Sequence, residues 1–246
     1  VKRILQCGLL FLIISAVSCS IFSSSANKAT NIEKTIIATQ VKDINIIEPV
    51  KYKYKVSDET AINDIVTTWT NRFNEAGASK DDSRRNNFYM YAKAIVEVLR
   101  YYQNPEFKDL RQYSMPDTRY THILIAEMIY RETSVDHTVM AKSSRKEVGL
   151  IQVHGIALKG HTRAEVRRDY KLGIYLGIDW LAHMISECNM EADDIVNPKD
   201  WLGPLCVYGA GAKRAIKNGH CITSMKFAKE RVNKSRELML RILANV

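Results

Sequence analysis

Glu132 closes a strongly apolar run, Ile123-Leu124-Ile125-Ala126-Glu127-Met128-Ile129-Tyr130-Arg131-Glu132-Thr133. Seventeen residues later comes Gly149-Leu150-Ile151-Gln152, and later still Val207-Tyr208-Gly209-Ala210-Gly211. One carboxylate followed by two glycine-bearing segments is the part of the chain whose residue types could do chemistry. A helix C-terminus presents negative partial charge, and burial among apolar groups disfavours a carboxylate. An acid enclosed in such a place keeps its proton and can give it to a leaving oxygen. The competing reading of Glu132 is a solvated glutamate at a helix end. For Gly149 and Gly211 it is plain turn geometry, and for Tyr208 a core aromatic.

The elements that must position these groups read as helices. Ser57 is suited to cap a helix whose first turn holds Asp58 and Glu59. Ile62, Ile65, Val66, Trp69 and Phe73 then recur at helical spacing. A second stripe runs through Phe88, Tyr91, Ala92, Ile95, Val98, Leu99 and Tyr102 and ends at Asn104-Pro105. A third helix is expected from Pro116-Asp117 to about Arg131, and a loop or small hairpin over 133–155. Thr162 is suited to cap a helix from Arg163, and another covers Tyr170 to Cys188. A further helix is expected over 200–218 with Gly219 as its stop, and a basic amphipathic helix from Met225 to Leu243. The fold class is mainly α, with at most a small β element.

The sequence has 246 residues and a net charge of +9, which favours anionic partners. The Lys and Arg are scattered without a dense block, so nucleic acid is not expected as a partner. Lys2 and Arg3 followed by the apolar stretch Leu9 to Val17 read as an export signal, shorter than the about 20 residues of a membrane span. Ala16-Val17-Ser18-Cys19 is similar to a bacterial lipobox, with Cys19 as the lipidated residue. Cleavage after Ser24-Ser25-Ala26 and an uncleaved anchor are the alternatives. All three place the rest of the chain outside the cytoplasm, and the lipid-anchored periplasmic form is favoured. Residues 1–19 are then a signal, 20–56 a tether or extended arm, 57–114 an N-terminal helical region, and 115–246 the domain that holds Glu132 and the glycine-bearing segments. Cys188, Cys206 and Cys221 remain, and Cys206–Cys221 is the expected disulfide in an oxidising compartment. No Cys/His spacing suggests a metal site.

The motif order resembles the lytic transglycosylases of the lysozyme-like superfamily, whose pattern is Glu-Ser, Gly-Leu-Met-Gln and Ala-Tyr-Asn-Ala-Gly. Arg131-Glu132-Thr133 is similar to the first piece, with Thr133 in place of Ser, and Gly149 to Val153 to the second. Gly173 to Leu181 resembles Asn-Ile-Arg-Leu-Gly-Ala-Ala-Tyr-Leu, and Val207 to Gly211 the last piece. The resemblance covers about residues 115–243. It implies a lysozyme-like domain with Glu132 as general acid and then general base. It implies that Thr133, Gly149, Gln152, Tyr208, Gly209 and Ala210 line the substrate site. Gly149 would let the chain pass close to a sugar, Gln152 would bond the glycan or brace the site, and Tyr208 would orient the Glu132 carboxyl. Gly209 and Gly173 stand where the family has Asn, and the region of Phe227 to Leu238 has Arg231-Val232 instead of a Tyr-Val pair.

The family's activity is cleavage of the N-acetylmuramic acid–N-acetylglucosamine bond of peptidoglycan with a single Glu, giving a 1,6-anhydro product without a cofactor. No second catalytic carboxylate is expected among Asp136, Glu147, Glu165 and Asp169. Of His137, His154 and His161, His154 is the candidate to line a cleft, while loop histidines of this kind are more often plain surface residues. The alternatives are a hydrolytic muramidase of lysozyme type and a non-catalytic peptidoglycan-binding or assembly protein.

Overall fold

The computed structural model describes residues 52–142, 146–210, 216–217 and 220–221. The expected signal, Cys19, the tether up to residue 51, Gly211 and the helix from Met225 to Leu243 lie outside these residues. The described part is mainly helical.

Helix α1 covers Asp58–Glu75, and the Ser57 hydroxyl accepts from the Thr60 amide at 3.2 Å. Its Ile65, Trp69 and Phe73 are buried, as the spacing of four predicts. Helix α2, Phe88–Gln103, ends at Asn104 because the residue before Pro105 is held extended, with ψ 117°. Helix α3, Arg119–Thr133, packs on α1 and is buried on every side from Thr121 to Ile129. A helix buried all round belongs at the centre of a fold, and this one does, its buried polar groups each finding partners there. The Trp69 indole donates to the Ala126 carbonyl of α3 at 2.8 Å, and Arg72 meets the buried Glu127 carboxylate at 3.2 Å. One continuous core joins residues from Ala61 to Leu205, so it crosses the expected boundary at 114 and 115.

Helix α4, Arg163–Arg168, is only six residues long and opens on a capping box. Thr162 accepts from the Glu165 amide at 3.2 Å, and Glu165 accepts from the Thr162 amide at 2.6 Å. Val166, fully buried, is what this short helix delivers to the core. Thr162→Ala is expected to cost about 1 kcal/mol of stability, read as a lower urea midpoint at unchanged slope.

Helix α5, Tyr170–Glu187, packs on α2 and on helix α6, Leu202–Ala210. Of the helix expected to run to residue 218, the described part is Leu202–Ala210. Strands β1, Ile216–Lys217, and β2, His220–Cys221, pair antiparallel beyond it. Residues 216–217 are strand where the sequence predicts helix, and its expected stop, Gly219, lies outside the described residues. The hairpin folds back along the end of α5 and bonds Cys221 to Cys188, with Cα atoms 5.0 Å apart. This corrects the expected Cys206–Cys221 pairing. Gly203 of α6 leaves the room for it: a Cβ there would stand 3.2 Å from the Cys221 Cβ.

The end of the expected tether is docked. Tyr52 donates to Asp117 at 3.2 Å, the Lys55 amide donates to the same carboxylate at 3.0 Å, and the Arg100 guanidinium lies 4.1 Å from the Tyr54 ring centre. No strand forms over 52–56 despite the alternating pattern, because side chains rather than a partner strand hold it.

Candidate active site

Helix α3 emerges from the core in its last turn. Ile129 is buried, Arg131 is exposed, and the Glu132 side chain is 31 % exposed. The expectation of an enclosed acid is therefore corrected: Glu132 is only partly buried, with Arg131 bonded to it at 3.1 Å. The helix runs two residues past the expected end, so Glu132 is inside its final turn. Ser134 then takes the left-handed conformation at φ 51°, with its amide bonded to the Tyr130 carbonyl at 2.8 Å. Val135 follows at φ 62° while fully inside the core. A β-branched residue there stores roughly 1–3 kcal/mol of backbone strain.

Thr133 turns inward. Its hydroxyl is buried and donates to the Ile129 carbonyl at 3.0 Å and toward the Leu150 carbonyl at 3.4 Å. The expected substrate contact at Thr133 is corrected to a bond that ties the end of α3 to the turn at 149–152.

That turn is closed by Val148 and Val153, which exchange backbone hydrogen bonds of 3.0 and 2.9 Å. Gly149 sits at φ 77°, which suits glycine. Its missing Cβ would point at Val166 Cγ1, 3.1 Å away, and at the Gly173 Cα, 3.8 Å away. Gly149 is buried against α5, so the expectation that it opens a path for a sugar is corrected to close packing of backbone on backbone. The Gln152 amide nitrogen donates to the Gly149 carbonyl at 2.8 Å, bracing the turn from within. On α5, a Cβ at Gly177 would stand 2.5 Å from the Ile151 Cβ. Gly173 and Gly177, one helical turn apart, thus form the flat seat on which the turn rests. The motif match included both glycines, Gly173 as a departure and Gly177 in the Leu-Gly pair, but gave neither a role; their spacing of four was the available signal.

Tyr208, on α6, completes the site. Its hydroxyl donates to the Ile151 carbonyl. Burial pushes the phenol well above its ordinary value, and the Glu132 carboxylate raises it further, with Glu147 adding to the rise and Arg131 opposing it. The Tyr208 proton therefore braces the turn instead of holding the Glu132 carboxyl, whose charge still acts on the phenol. Gly209 and Ala210 close α6 directly after it. Tyr208→Phe is expected to leave the Ile151 carbonyl without its donor. The cost is about 1–2 kcal/mol, read as a lowered urea midpoint, with faster amide exchange at 149–153.

Glu132, Thr133, the 149–152 turn and Tyr208 are thus brought together from three separate parts of the chain. Other carboxylates have local work. Asp136 accepts from the Thr138 amide at 2.8 Å, Glu165 belongs to the capping box, and Asp169 caps α5 by accepting from Lys171 and Leu172. His137 is bonded to the Tyr91 hydroxyl at 2.6 Å, and His154 is half-buried at the start of the 3-10 turn Gly155–Leu158. Among the described residues no three His, Cys, Asp or Glu side chains gather as a metal site. No protein-family model, no curated protein and no solved structure matches this chain.

Proposed function

We propose that the chain is a peptidoglycan lytic transglycosylase with a lysozyme-like helical catalytic domain, exported and held at a bacterial membrane through Cys19. The observation that carries the reading is the meeting of the motif pieces on one turn. Thr133, next to Glu132, reaches the Leu150 carbonyl, and Tyr208 donates to the adjacent Ile151 carbonyl. Packing alone accounts for Gly173, since a side chain there would meet Val166 and the Gly149 backbone. That departure from the family pattern is therefore compatible with turnover.

Glu132 protonates the oxygen that links C1 of N-acetylmuramic acid to C4 of N-acetylglucosamine. The C1–O bond breaks, and the N-acetylglucosamine end leaves as an alcohol. The acetamido carbonyl oxygen of the muramic acid bonds to C1 and takes up the positive charge. The Glu132 carboxylate then accepts the proton of the 6-hydroxyl as O6 bonds to C1 and the acetamido oxygen departs. The acid is regenerated, a 1,6-anhydro ring is formed, and no water is consumed. A glycan lying over Glu132 removes the water that reaches this acid in the free protein, which strengthens every polar contact around it.

Glu147 supplies the specific ground for a second reading. Its charge and that of Glu132 act on the same phenol. A hydrolytic muramidase works with two carboxylates, and Glu147 is the candidate for the second. Purified glycan strands incubated with the protein and analysed by mass spectrometry separate the readings. Anhydro ends are expected. Reducing ends would establish hydrolysis, and bound but uncut strands would leave a peptidoglycan-binding protein.

A further inference from the structure

We propose that Arg84 is a positioning residue for Glu132, acting through the left-handed turn that ends α3. The proposal rests on Glu132 being the acid, and it draws on a part of the chain outside the region of family resemblance. Two consecutive residues with side chains, Ser134 and Val135, hold φ values of 51° and 62°. Glycine is the residue at ease there, and a β-branched residue is not. Such a turn persists only where its surroundings over-determine it. Were the two residues to relax to right-handed values, α3 would continue past Thr133 and the chain after Glu132 would leave its place.

The Ser134 carbonyl, which lies between the two strained residues, is met by Arg84 Nη1 at 3.4 Å. That guanidinium has little freedom of its own. Asp82 holds it by two bonds, Nε at 2.9 Å and Nη2 at 2.5 Å, and the guanidinium carbon lies 4.7 Å from the ring centre of Phe73. Phe73 is a buried residue of α1, so the fork is anchored to the core. Asp136, on the far side of the turn, attracts the same guanidinium. A planar cation fixed on one side and donating on the other is a clamp, which a flexible ammonium reproduces poorly.

The test uses the full chain with Arg84→Gln alone and combined with Val135→Gly or Val135→Ala. Both changes at 135 remove buried side-chain atoms, but only glycine removes the strain. Arg84→Gln is expected to lower kcat for anhydro-product formation about tenfold, since a small misplacement of an acid is costly, with KM within about twofold. The Arg84→Gln/Val135→Gly protein is expected to regain most of that loss, and Arg84→Gln/Val135→Ala is not. A kcat at the wild-type level in Arg84→Gln would overturn the proposal while sparing the functional reading. Equal failure of the glycine and alanine double variants would overturn it too. If the wild-type protein releases no anhydro product, the functional reading falls. The clamp is then decided by hydrogen exchange at the Ser134 amide, where protection unchanged by Arg84→Gln overturns it.

Discussion

Glu132→Gln is expected to abolish cleavage of glycan strands, lowering kcat by about 10³-fold, with the fold retained. The reasoning is chemical and local. An amide keeps the size and the hydrogen-bonding capacity of the side chain but cannot deliver a proton or take one back, and both steps of the proposed reaction pass through that group. The position is also tolerant of the change. Glu132 is 31 % exposed, and its hydrogen bond is to the exposed neighbour Arg131, so no buried charge is stranded. Thermal unfolding within about 2 °C of wild type should accompany the loss of activity, since surface changes of this kind are small in energy. Activity at the wild-type rate in this variant removes Glu132 from the role and sends the search to Glu147. Partial activity with reducing ends points the same way.

Gly177→Ala is expected to be the most damaging single methyl addition near the site. The new carbon would stand 2.5 Å from the Ile151 Cβ and 2.8 Å from both Cγ2 and Cδ1 of the same side chain. The nearest of these atoms is attached directly to the backbone, so no rotamer change relieves it. Either α5 moves or the 149–152 turn does. Overpacking of this severity costs about 3 kcal/mol. For a chain of this size that is a fall of about 6–12 °C in Tm. Because Ile151 also receives the Tyr208 hydroxyl, glycan cleavage should drop more steeply than stability. Gly155→Ala is the matching comparison, because nothing lies within 4 Å of a Cβ there, and its left-handed backbone is the sole penalty. A Gly177→Ala protein with unaltered Tm would show that α5 and the turn are not seated on each other.

The helices were legible because their apolar residues recur with the period of one face. Ile65, Trp69 and Phe73 on α1 and Tyr91, Ile95 and Leu99 on α2 are buried as that period requires. The same signal was silent on α3. A helix buried all round has no face to read, so its sequence does not say where it leaves the core, and Glu132 proved more exposed than expected. The order of the motif pieces led to the neighbourhood of Glu132, the 149–152 turn and Tyr208. It did not lead to the jobs of Thr133 and Gly149, because a hydroxyl or a glycine reads alike whether it faces a ligand or another segment. The partner of Cys221 depended on where a hairpin falls back, which is a tertiary fact. Asn218-Gly219 carried a hairpin signal, but the run of helix-forming residues before it outweighed that cue.

Docking of residues 52–55 beside Asp117 makes α3 a spacer as well as a scaffold. The chain arriving from the N-terminus is moored just ahead of this helix, while Glu132 stands in its last turn. Fifteen residues of helix set the two about 20 Å apart. The rigidity of α3 thus fixes the separation between the docked segment 52–55 and Glu132, so neither can shift along the helix axis without the other.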